Sequence, residues 1–316
     1  MFSRFVSAAF LVTFAVSAAA QMPDKPITRP KITGISHLAV YTSDAAATDH
    51  FYRELMGAAK LPDPENPKGV RYAFNSIQFV EVLPLPPGQG INRLDHTAYN
   101  TDDAEGLRKF LYTKSWKTPP NVEKGADGSV WFSVKDPEGN KVEFVQPPHL
   151  PKAVETPGII GRHIMHMGIL VHNRALENTF YLDLLGFRPY WWGGRKDGEV
   201  DWVMLQTPDS HDWVEYMLEE SHGGTPSTGI PANMSRKTLG SMDHLSVGVV
   251  SVPETYKRMK AANRLEGRHD DEPRMGLDGK YQLNLYDPDD TRLELMNFKA
   301  TEKPCCSPFT ADDPAE

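Results

Sequence analysis

Four histidines and four glutamates recur along the 316-residue chain in the same order and at nearly the same interval. His37 lies in ISHLAVYT, His96 in LDHTAYNT, His166 in MHMGILVH and His244 in DHLSVGVV. Each is followed by an apolar segment holding one glutamate: Glu81 in IQFVEVLP, Glu143 in NKVEFVQ, Glu215 in DWVEYML and Glu294 in TRLELMNF. The separations from His37 to Glu81, His96 to Glu143, His166 to Glu215 and His244 to Glu294 are 44, 47, 49 and 50 residues. One strand histidine ordinarily packs in a core, and one strand glutamate ordinarily faces water. Four of each in step mark an internal repeat, and a repeat is read as a unit. Imidazoles and carboxylates converging on one point form a divalent transition-metal site, whose N/O ligands suit zinc, nickel, iron(II), manganese or cobalt. Four protein ligands on an ion that prefers six leave two positions for water or a chelating substrate. Such an ion polarises a carbonyl and acidifies bound water. A ligand carboxylate that loosens can serve as a proton-transfer base.

The elements that must aim these side chains follow from periodicity. In Met242–Val250, Met242, His244, Ser246 and Gly248 share one strand face, and Leu245, Val247 and Val249 share the other. Helical spacing marks Ala45–Met56, Asp102–Thr113, Ala175–Leu185 and Val252–Ala262, with Gly57 and Gly186 as stops. Each unit therefore reads β-α-β-β-β over roughly 50 to 60 residues, too few to bury a stable core alone. The expectation is an α+β fold of four βαβββ modules, paired into two curved mixed-sheet domains over 32–148 and 162–298. The proline-rich 149–161 links them, Glu220–Thr238 is a Gly/Pro/Ser-rich loop, and 299–316 is an irregular tail. The tail carries the only two cysteines, Cys305 and Cys306, whose adjacency cannot staple the fold.

Composition narrows the function. The chain is 40% hydrophobic and 24% charged, with a formal charge of −8 and no basic stripe, which disfavours nucleic acid or an anionic membrane as partner. Arg4, the apolar run Ala8–Val16 and the small residues Ser17–Ala20 read as a signal peptide over 1–20, leaving 21–31 as a linker. The chain is thus expected to be exported, periplasmic or extracellular, and to meet a small-molecule substrate. The sequence leaves its oligomeric state open. Trp191, Trp192, Arg195, Trp202 and Trp213 offer aromatic walls and one cation for such a ligand, or alternatively packing between elements. His211, four residues before Glu215, is a candidate acid/base.

The fourfold pattern, together with the closing motifs VKDPEGNKVEFVQ and LYDPDDTRLELMNF, resembles the vicinal oxygen chelate superfamily over about Ile32–Phe298. That group contains glyoxalase I, the fosfomycin- and bleomycin-resistance proteins and the extradiol dioxygenases. The resemblance implies metal ligands His37, Glu81, His96 and Glu143 in the first half, and His166, Glu215, His244 and Glu294 in the second. It implies a glyoxalase-type lyase or isomerase in which a ligated glutamate (Glu215 or Glu294) moves a proton. Two alternatives are an extradiol iron(II) dioxygenase on His166, His244 and Glu294, and a non-catalytic binding protein of the resistance type. The dioxygenases carry a tyrosine about ten residues before the last glutamate. Asn284 stands there, and Pro273–Gln282 contains no histidine.

Overall fold

The computed structural model describes residues 28–149, 151–196, 198–219, 230 and 233–316. The expected signal peptide and most of the Glu220–Thr238 loop lie outside these residues.

Each module begins with a strand that must end where a helix starts, and an N-capping side chain fixes that point. Asp44, Asp103, Asn173 and Ser251 each accept a hydrogen bond from the first turn of the helix that follows. The first module is β1 (Ile32–Thr42), α1 (Ala45–Asp49), β2 (Ala59–Pro62), β3 (Val70–Ala73) and β4 (Phe79–Pro84). The second is β5 (Leu94–Thr101), α2 (Ala104–Thr113), β6 (Glu123–Lys124), β7 (Val130–Lys135) and β8 (Lys141–Gln146). The third is β9 (His163–Val171), α3 (Arg174–Asn178), β10 (Arg188–Gly193), β11 (Trp202–Gln206) and β12 (Trp213–Leu218). A short helix, α4 (Arg236–Met242), precedes the fourth module and replaces the end of the expected loop and the first residue of the expected strand. That module is β13 (His244–Val249), α5 (Val252–Ala261), β14 (Arg274–Met275), β15 (Tyr281–Tyr286) and β16 (Arg292–Asn297).

The modules pair into two eight-stranded mixed sheets, ordered β2-β3-β4-β1-β5-β8-β7-β6 and β10-β11-β12-β9-β13-β16-β15-β14. In each module the first strand runs parallel to the last, and the two first strands meet antiparallel at the centre. Parallel neighbours need a crossover, which the helix and the two intervening strands supply. In the first and third modules the helix continues as a π-helical turn over His50–Leu55 and Thr179–Leu184. Met56 N–H bonds Phe51 C=O at 3.0 Å, and Leu185 N–H bonds Phe180 C=O at 2.9 Å. The turns aim Tyr52 and Tyr181, both fully buried, toward the other half. Tyr181 meets Tyr99 and Phe187 edge-on, inside one apolar core that spans both sheets.

The two Asp-Pro turns do more than close hairpins. Asp289 accepts hydrogen bonds from Ser43 N–H at 2.7 Å, Ser43 Oγ at 2.8 Å and Arg93 Nε at 2.8 Å, so the fourth module grips the first. Glu138, its counterpart in the second module, accepts from His172 N–H and Asn173 N–H of the third at 2.9 and 2.6 Å. Both carboxylates thus cap the loop between strand and helix in the opposite half. We predict that Asp289→Ala costs about 2–4 kcal/mol of unfolding free energy, because it orphans buried donors as well as an arginine. Chemical denaturation measures this, and a loss below about 0.5 kcal/mol, the surface-substitution range, would contradict it.

Candidate metal centres

Strand alternation puts one histidine and one glutamate from each module on the concave face. In the first sheet, β1 contributes His37, β4 Glu81, β5 His96 and β8 Glu143, all essentially buried. The Nε2 atoms of His37 and His96 are 2.9 Å apart. Glu81 Oε2 lies 3.8 and 3.6 Å from these two nitrogens, and Glu143 Oε1 3.7 and 3.6 Å. Donors bound at about 2.1 Å to one ion sit roughly 3.0–3.4 Å from each other, close to this spacing. The same two carboxylate oxygens are buried without a hydrogen-bond partner. Such a pair is costly unless a cation joins them, so the residues fit a divalent metal.

Hydrogen bonds behind the donors fix their aim. Ser36 Oγ lies 3.0 Å from His37 Nδ1, Asp95 Oδ2 2.6 Å from His96 Nδ1, and Ser133 Oγ donates to Glu143 Oε2 at 2.9 Å. Burial pushes Glu81 up to about 9, aided by a hydrogen bond to Asp63. Burial would lower His96, but the Glu143 charge and a hydrogen bond to Asp95 lift it to about 9. His37 is held well below the usual imidazole range by burial and by His96. The centre opens into a cavity of about 530 Å³ whose wall includes Tyr41, Asp95, Trp131 and Lys141. Lys141 Nζ sits 3.2 Å from Asp95 Oδ2, and Tyr41 donates to Asp95 Oδ1.

Two contributors were not foreseen. Asp95 directly precedes His96 as Asp243 precedes His244, a repeated Asp-His pair that the sequence displays. Glu65 comes from the β2–β3 loop, ion-paired to Arg71, and lies close enough to His37 and Glu143 to form a second three-residue cluster with them. A loop position outside the repeat carries no periodic signal.

The second sheet gathers the corresponding His166, Glu215, His244 and Glu294. The His166 and His244 Nε2 atoms are 3.1 Å apart, His166 is 3.4 Å from Glu294 Oε2, and His244 is 3.4 Å from Glu215 Oε2. Gly168 on β9 makes room for the His244 ring, because a Cβ there would lie 1.9 Å from its Cε1. A fifth side chain enters this centre. Buried Arg292 places Nη2 2.6 Å from His244 Nε2 and Nη1 3.6 Å from Glu294 Oε1. Nη2 is also 2.8 Å from His244 Nδ1, so the guanidinium lies against the imidazole ring and brings a positive charge to the centre. Burial pushes Glu215 and Glu294 up to about 7 against the pull of Arg292, and burial then Arg292 hold His244 well below its usual range. The four donors converge as in the first sheet, and His166, His244 and Glu294 lie close enough to hold an ion, with the Arg292 charge opposing a dication there.

The other expected site residues are dispersed. His211 is exposed in the β11–β12 turn. Four residues of extended chain separate it from Glu215 by about 13 Å, so it does not join the cluster. Trp213 is fully buried and stacks on His166 at 4.8 Å, and Trp191 is buried with its N–H donating to Cys305 C=O. Both pack with Tyr190, Met204, Met296 and Phe298, so they are core and not ligand walls. Trp192 is half-exposed, and Arg195 lies over the Trp202 ring at 5.0 Å. The tail, although irregular, is not loose: Phe309, Ala311 and the disulfide-bonded Cys305 pack on this same cluster.

Paired βαβββ modules with His/Glu clusters on the concave faces of two sheets define a duplicated metal-binding cup. A family model described as Glyoxalase/Bleomycin resistance protein/Dioxygenase superfamily matches residues 34–144, and the second sheet repeats the strand order of the first. Homoprotocatechuate 2,3-dioxygenase from Brevibacterium fuscum, in an anaerobic complex with 3,4-dihydroxyphenylacetate, superposes with a TM-score of 0.61 at 17% identity, covering 92% of this chain and 86% of that one. A catechol 2,3-dioxygenase superposes at 0.61 with 14% identity, covering 90% and 93%. A room-temperature structure of an extradiol ring-cleaving dioxygenase from B. fuscum gives 0.62 at 16%, covering 93% and 76%. No curated protein matches the chain. Among the described residues no helix is long and apolar enough to cross a membrane.

Metal analysis of the purified chain is expected to give one tightly held ion, lost in Glu143→Ala with affinity down by more than about 100-fold. Arg292→Met is expected to raise the content toward two. An unchanged ion count in both variants would contradict this division between the centres. The protonation of the first centre sets a second expectation. Ligation needs neutral His96 and ionised Glu81, and both hold a proton up to about pH 9 without metal. Affinity for the ion should therefore rise with pH up to about 9, with protons released on binding. Calorimetry in buffers of different ionisation enthalpy reads this directly, and a pH-independent affinity without proton release would count against it.

Proposed function

We propose that the chain is a divalent-metal-dependent enzyme of the glyoxalase type, transferring a proton on a small substrate with vicinal oxygens, and that its chemistry lies in the first sheet. The observation that carries this reading is the pair of buried, unpartnered oxygens, Glu81 Oε2 and Glu143 Oε1, flanking the His37 and His96 nitrogens at the foot of an open cavity. An ion held there would polarise a carbonyl and acidify the carbon beside it.

The residues of the chain do the rest. Glu81 and Glu143 reach the centre from different strands, and a carboxylate on either side can take a proton from one carbon and return it to the next. Without metal the His96 charge outweighs burial and holds the Glu143 carboxyl well below the usual range, so it stays ionised and able to accept a proton. Glu81, across the centre on another strand, is the carboxylate placed to share in moving that proton. Tyr41 and Lys141 stand in the cavity wall to orient a hydroxyl or carbonyl oxygen, and Trp131 offers an apolar surface that limits water. This moves the proton-transfer role from Glu215 and Glu294, which face Arg292, to their first-sheet counterparts. If the N-terminal segment directs export as its composition suggests, glutathione is a poor cosubstrate, and a hydroxy-carbonyl compound or sugar-derived dicarbonyl fits better.

The second reading is extradiol ring cleavage, favoured by the dioxygenase folds above. Two features speak against it in the second sheet. Arg292 lies against His244, and Asn284, directly opposite Glu294 in register, accepts from Arg292 at 3.3 Å where those enzymes carry tyrosine.

The protein loaded with nickel, zinc or manganese should catalyse solvent deuterium exchange into a hydroxy-carbonyl or dicarbonyl substrate. Glu143→Gln should slow that exchange by about 10²–10⁴-fold, the span of general acid–base catalysis. Oxygen uptake with catechols after anaerobic iron(II) loading, with no exchange activity, would establish the dioxygenase reading instead.

A further inference from the structure

The first sheet holds a second and larger chamber of about 950 Å³ on the far side of the metal centre. Its wall toward the metal is a three-layer stack. Arg71 lies over the Phe79 ring at 4.2 Å, and Phe79 stacks on His37 at 4.4 Å. Arg71 is committed to Asp63 and Glu65, so the wall is held in place. The rest of the lining is chiefly apolar and small.

Strand register gives each lining residue a counterpart in the second sheet. His37 faces Phe79 as His166 faces Trp213, and Arg71 faces Glu81 as Met204 faces Glu215. One strand further out, Leu61 corresponds to Trp191. On the other side, Val145 corresponds to Met296. By the bulge before the first histidine, Ser36 corresponds to Met165. Met165, Trp191, Met204, Trp213 and Met296 form a closed apolar cluster, into which the tail inserts Phe309 and Cys305. The same architectural space is therefore solid in one half and hollow in the other. In the solid half it is filled by aromatic rings and thioethers.

We infer that the hollow chamber is a binding site for a small, predominantly apolar, ring-bearing ligand, separate from the metal cavity and occupying the place that Trp191 and Phe309 take in the second sheet. Its volume falls in the range of small-molecule sites, roughly 300–1,000 Å³. Side chains of the other copy show which chemistry that space accepts. The site does not depend on the reaction proposed above, because the Arg71–Phe79 wall lies between its occupant and the ion.

The test is fluorescence titration of the full chain with 8-anilinonaphthalene-1-sulfonate, with and without chelator. Saturable binding that chelation leaves intact is expected. Leu61→Trp and, more gently, Val145→Met install the second-sheet residues and should each weaken binding by about tenfold or more, with metal content and melting temperature retained. Trp131→Ala, in the metal cavity wall, should leave probe affinity unchanged. Undiminished affinity in a folded Val145→Met chain, or loss of binding through Trp131→Ala or chelation, would overturn the inference.

Discussion

Two buried carboxylate oxygens face two imidazole nitrogens, and neither oxygen has a hydrogen-bond partner of its own. The first sheet is organised to hold that imbalance. Only side-chain alternation on four adjacent strands, two parallel pairs about an antiparallel centre, brings donors 15 to 106 positions apart in sequence to one point. The serine, aspartate and second serine behind His37, His96 and Glu143 prevent the donors from turning toward other partners. Ionising Glu81 beside Glu143 in this buried space is unfavourable until a cation arrives, so binding selectivity and local instability have one origin.

The second sheet meets the same constraint differently. It keeps the donors and supplies its own cation, Arg292, from the position where the first sheet has Lys141. Lys141 is drawn aside by Asp95, whereas Asp243, the counterpart of Asp95, accepts from Leu170 N–H and leaves the arginine to the histidine. One exchange of partners on a common scaffold thus separates an open centre from a self-neutralised one. The Asp289 and Glu138 clamps then bind the two halves into a single core, so the filled half supports the open one mechanically.

Much of this was legible in the chain. Period-2 patterning and the His/Glu interval gave the modules, their pairing and the eight converging donors, because alternation on a strand leaves little freedom once the face is known. What escaped depended on distance in three dimensions. Arg292 sits two residues before Glu294 on the same face, yet only the structure shows it folded over His244. The aromatic cluster of Trp191 and Trp213 reads equally as pocket or core in sequence, and the tail decides it as core. Spacing alone suggested that His211 could reach Glu215, but extended backbone holds the two apart. The expected export signal falls in the segment outside the described residues.

The tail that completes the second cup also sets an order of assembly. Lys280, wholly buried, donates to Phe298 C=O and ion-pairs with Asp313, while His163 at the start of β9 lies 2.9 Å from Ala315 C=O. Those contacts use residues that follow every strand of the second sheet. The first cup has all its strands by Gln146 and can close during synthesis, but the second keeps its aromatic face bare until the tail that follows β16 has been made.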